Sequence, residues 1–203
     1  MPSELGLMNS ALAHLGEERV LSDLAADPPP RELAVAKALL PDLRDAMLRE
    51  HPWLCAEARL TVTRQPLTGR VDWKFANVFL LPPDTLRLWD AGTTLPWQFG
   101  PYVERNDDGS VRSRRKAFYT DAQGPLNVTI IERIPFEHMD ASLADAMGLK
   151  LGSRMAGPLQ ADKSLRNALR TEAAEAVAMA VTVETSEFRS DPEISRGTWL
   201  TSR

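Results

Sequence analysis

A chain of 203 residues has room for one domain or two small ones with a buried core, and 43% hydrophobic with 26% charged residues is the balance of a globular protein, not of a disordered one. A formal net charge of −4 argues against a dedicated nucleic-acid binder, which carries a basic excess. The single cysteine, Cys55, forms no internal disulfide, and no apolar run nears the ~20 residues that span a bilayer.

The elements follow in chain order. Leu5, Met8, Leu12 and Leu15 recur at steps of three and four, which predicts a short first helix that Gly16 ends. Asp27-Pro28-Pro29-Pro30 is a rigid connector, with Pro30 suited to a first helical turn. Ala36, Leu40, Leu43 and Met47 mark a second helix over Arg31–Glu50, and His51, pushed out of helical geometry by Pro52, stops it. Cys55, in the apolar run Trp53 to Ala56, reads as a small buried hydrophobe.

From Glu57 to Arg133 the period changes to two. Leu60 and Val62 alternate with Arg59, Thr61 and Thr63; Trp73, Phe75 and Phe79 lie in a second extended run, and Leu86 and Leu88 in a third. Asn106-Asp107-Asp108-Gly109 is a hairpin turn, because Asp-Gly supplies the positive φ that tight turns require. Leu126 to Ile134, rich in β-branched residues, is the best strand. Helical spacing returns with Leu143, Met147 and Leu151, ending near Gly157-Pro158, and with Leu165, Leu169, Ala173, Ala176 and Ala180 in a long helix over 162–187. The reading is an α+β protein: a bundle of about four helices from residues 1–56 and 135–187, an inserted antiparallel β subdomain over 57–134, and a C-terminal arm over 188–203.

No catalytic motif accompanies these elements. His14, His51 and His138 have no metal spacing, there is no Gly-x-Ser-x-Gly elbow, and Cys55 has no catalytic signature around it. Gly148, Gly152 and Gly157 read as the end of a helix and not as a phosphate loop, since Ser153 stands where a lysine is needed. Asp107-Asp108 reads as turn chemistry. The expectation is therefore no enzyme, no cofactor and no metal. Three features suit contact with a partner. Arg112, Arg114, Arg115 and Lys116 form a basic run beside the turn; Trp97 and Phe99 sit in a proline-flanked loop; Trp199 stands in the arm, where its ring needs another chain to bury it.

Five segments in this order resemble the phage tail tubular protein A family, the head-to-tail adaptors of short-tailed phages. Asn9 to Val20 looks like the family's opening helix with its Gly-Glu turn, and Ala36 to Ala56 like its second helix with the Arg-Glu-His-Pro-Trp exit. Leu81 to Leu88 is similar to its Leu-Pro-x-Asp turn into a strand, and Tyr119 to Ile134 to its Thr-Asp turn and strand. Leu143 to Ala180, with Gly197 to Leu200 and Arg203, resembles the closing helices and tail; Glu104 to Lys116 is longer and more charged than the family pattern.

The resemblance implies a virion structural protein, made in the host cytoplasm. About twelve copies would form a ring between the portal protein and the tail nozzle protein, without a membrane. DNA would pass through the ring's channel without specific binding, and an acidic balance suits such a wall. The rival readings are a neck or head-completion connector of a long-tailed phage, a carbohydrate-cleaving hydrolase with a carboxylate pair, and a small DNA-binding module using the basic run.

Overall fold

The computed structural model describes residues 2–17, 21–65, 74–106, 108–159 and 163–187. Within them the chain is α+β, with four helices and two antiparallel sheets. Contacts divide it into two units, one of Met1–Leu40 with Asp140–Arg203, the other of Pro41–Met139. The punctuation of the sequence sets the boundaries at 56/57 and 134/135, whereas the contacts place the second half of the second helix with the strands.

In the first unit, α1 (Glu4–His14) opens at Ser3, whose hydroxyl accepts the Gly6 N–H at 3.0 Å and satisfies one orphan donor of the first turn. It closes at Gly16, whose φ of +73° lets the Glu17 N–H return to the Leu12 carbonyl at 3.0 Å. The Asn9 amide then ties down the outgoing chain, accepting from the Leu21 N–H at 2.7 Å and donating to its carbonyl at 2.9 Å. The buried stripe is Leu7, Met8, Ala11, Leu12 and Leu15; Leu5, expected to lead it, is only half-buried.

That shift of face follows from what α1 meets. It packs on α3 (Ala141–Leu159), where a Cβ on Gly148 would lie 2.7 Å from Ser10 Oγ and one on Gly152 would lie 3.0 Å from the Ala11 carbonyl. These glycines are not a helix end, as the sequence suggested. They sit one turn apart inside α3 and let α1 approach closely. Asp140 caps α3 by accepting the Ser142 N–H at 2.8 Å, and hydrogen bonds from Ser142 hold its carboxyl below the usual range. The long α4 (Lys163–Glu187) packs on α3 and buries Leu169, Ala173 and Ala180. The first half of α2 (Arg31–Glu50) buries Leu33, Ala36 and Leu40, and Arg31 donates to the Pro158 carbonyl at 2.5 Å.

The second unit begins where Pro41 interrupts α2's run of donors, and the helix continues to bury Leu43, Met47 and Leu48. The His51-Pro52-Trp53 exit is a locked corner. Trp53 is 2% exposed, its indole N–H donates to the Met47 carbonyl at 2.9 Å, and the His51 ring meets it edge-on at 4.8 Å. The indole thereby gives a carbonyl of the last turn a side-chain donor. In the 3-10 turn that follows (Leu54–Ala56) only Ala56 enters the core; Cys55 is half-buried, not buried as expected.

Strands β1 (Glu57–Val62), β7 (Leu126–Glu132) and β4 (Thr85–Asp90) form one sheet in the order β1-β7-β4. Strands β2 (Arg64–Gln65), β3 (Asn77–Leu80), β6 (Val111–Thr120) and β5 (Trp97–Arg105) form the other, in the order β2-β3-β6-β5. Side chains alternate across β3 and β6. Phe79 and Phe118, stacked with centroids 5.0 Å apart, join Leu88, Leu126, Val128 and Ile130 in a core drawn from both sheets. Val78, Ala117 and Tyr119 point the other way, into a smaller cluster with Phe75 and Tyr102. Trp73 lies outside the described residues.

Candidate interaction surface

The β5–β6 hairpin carries most of the expected contact residues. Its register runs from Trp97 opposite Thr120 to Arg105 opposite Val111, and the turn closes with the Gly109 N–H on the Asn106 carbonyl at 2.9 Å. Trp97 and Phe99 are thus strand residues, not loop residues, and this corrects the expectation. The sequence hid the strand because Gly100 and Pro101 lie within it; β5 is a sheet edge, where a missing N–H is tolerated. Phe99, half-buried opposite Phe118, packs on the two-sheet core, while Trp97 remains 39% exposed. In the turn, Asp108 accepts the Ser110 N–H at 2.8 Å, and these Ser110 hydrogen bonds hold its carboxyl below the usual range.

The basic run occupies β6 itself. Arg112, Arg114 and Arg115 are exposed, whereas Lys116 is half-buried and donates to the Thr85 carbonyl at 2.5 Å. Burial first, then the nearby Arg133 cation, pulls the Lys116 ammonium below its ordinary value. Arg114, Arg115 and Lys116 form one wall of an open groove of about 940 Å³. Leu60 to Thr63 and Gln65 form a second side, and Leu80 to Pro83 the third. Among the described residues lining it, three are cationic and none is acidic. Arg112 is not part of it.

Near Lys116 lies an ion-pair network that sequence reasoning missed. Arg133 grips Asp45 with two nitrogens: Nε reaches Oδ1 at 3.0 Å and Oδ2 at 3.1 Å, and Nη2 also reaches Oδ2. Its Nη1 reaches Asp84 at 3.5 Å, and Arg44 Nε approaches Asp45 at 3.3 Å. The Arg133 hydrogen bonds hold the Asp45 carboxyl below its usual range, overriding the opposing effect of burial. An unfolded chain lacks this partner, so the contribution is complete above about pH 4 and is lost as pH falls through the lower folded value. Both groups retain solvent contact, so Asp45→Asn is expected to cost only about 1 kcal/mol at pH 7, and to flatten the acid side of the stability-versus-pH curve. Urea titrations between about pH 3 and pH 7 check this; equal losses at every pH would contradict it.

Large apolar side chains also reach solvent. Trp89, 44% exposed under the Arg87 guanidinium at 4.9 Å, and Leu95 accompany Trp97 in the second unit. Met179, 71% exposed, and Val183 stand on α4 in the first. The proposed contact residue Trp199 and its arm lie outside the described residues. Among the described residues, no group of three or more His, Cys, Asp or Glu side chains is placed to hold a metal, and no helix is long and apolar enough to cross a membrane. The second unit thus presents a cationic groove and, on its surface, the exposed Trp89 and Trp97. No family model and no curated protein sequence matches the chain.

Proposed function

We propose that this chain is a head-to-tail adaptor of a short-tailed phage, a virion structural protein that forms a ring between portal and tail nozzle and extends the DNA channel. The observation that carries this reading is the Leu48–Trp53 helix exit in company with four further segments in the family's order. The exposed Trp89, Trp97 and Met179 are side chains of the kinds enriched in subunit interfaces, and are compatible with it. A heterologous contact repeated by rotation closes into a ring. In this reading the chain has no catalytic task, and its partners are its own copies, the portal and the nozzle. Co-sedimentation with the portal ring of the same virus tests it. The chain is expected to pellet with the portal at a fixed ratio near one to one; a chain left wholly in the supernatant at micromolar concentration counts against the reading.

A further inference from the structure

We infer that the cationic groove of the second unit is the socket in which one copy of this chain receives the acidic half of α4 from the next. The inference rests on the ring reading and names its contact. Two complementary surfaces motivate it. The groove concentrates Arg114, Arg115 and Lys116 with no carboxylate among its described lining residues, in a chain whose net charge is −4. A concave wall of one sign focuses the field and selects a partner of the other sign.

The chain itself supplies that partner. From Thr171 to the end of α4 there is no Lys or Arg, while Glu172, Glu175, Glu184 and Glu187 are acidic. Glu172, Glu175 and Met179 are spaced by three and four residues, so they share one helix face, and all three are exposed. That face matches the groove in kind: two carboxylates for the two arginines, and a flexible thioether for the apolar side formed by Leu60, Leu80 and Pro82. Socket and plug are different surfaces of one chain, so in the ring reading each copy offers its plug to one neighbour and its socket to the other, a heterologous contact.

A charge swap tests this. Native mass is measured on the portal ring for the wild type, for Arg114→Glu with Arg115→Glu, for Glu172→Arg with Glu175→Arg, and for an equimolar mixture of the two variants. All four substituted side chains are exposed, and thermal melts check that each variant folds. The expected result is a ring for the wild type, at least a tenfold loss of assembly for each variant alone, and a restored ring in the mixture, where every socket again meets an opposite charge. Variants that assemble like wild type overturn the socket and leave the ring reading standing. Folded variants that fail both alone and mixed overturn the pairing of these two surfaces. A wild type that forms no ring overturns both. Duplex DNA retention at low salt that is lost only in the Arg114→Glu, Arg115→Glu variant, with assembly intact, assigns the groove to phosphates instead.

Discussion

Trp53→Ala is expected to lower unfolding stability by about 3–5 kcal/mol, the range for removing a large buried aromatic. Trp53 is 2% exposed, and its indole N–H satisfies the Met47 carbonyl in the last turn of α2. Truncation therefore opens a cavity and removes a buried hydrogen bond together. Trp53→Phe separates the two effects: it keeps most of the ring and removes the N–H, and is expected to cost about 1–2 kcal/mol. Urea unfolding followed by circular dichroism reads both. For a chain of this length the alanine variant is expected to melt roughly 10 °C lower. A loss below about 1 kcal/mol would mean that the corner is not a packed core element.

The second large effect is Gly92→Ala, expected to cost about 3 kcal/mol or more. Gly92 has a φ of +62°, and a Cβ built there lies 2.0 Å from the Asn127 carbonyl oxygen of β7. The left-handed backbone alone costs an L residue about 1–2 kcal/mol, and the clash is with strand backbone, which has no rotamer to escape into. Gly92 also donates to Asp90 at 2.9 Å, so the end of β4 must shift with it. Gly109→Ala is the control: its φ of +82° is similarly left-handed, but nothing lies within 4 Å of the added Cβ. It is expected to lose about 1 kcal/mol, partly offset by a stiffer unfolded chain. Equal losses at both positions would remove the close approach of Asn127 from the argument.

Elements written as a local period were legible in the sequence. Ala36, Leu40, Leu43 and Met47 are all fully buried along α2 at the 3.6-residue repeat and line its inner face. The β-branched stretch after Pro125 is β7, and the Asp-Gly signal is the turn of the β5–β6 hairpin. What depends on distant partners was not legible. Asp45 and Arg133 are 88 residues apart and show nothing local that pairs them. Gly148 and Gly152 look like helix breakers until α1 lies against them. The groove draws on strands of both sheets, so the sequence revealed its basic wall but not Thr63, Gln65 or Pro82 opposite. The exposure of Met179 was equally hidden, because a methionine at helical spacing reads as core.

The measurement closest to the central claim is the native mass of the purified chain over a concentration series, alone and with a portal ring. The adaptor reading predicts a discrete ring, near twelve times the protomer mass of 22.5 kDa, that forms on the portal even where the free chain is monomeric. A chain that stays at the protomer mass at every concentration, with the portal present, would contradict it.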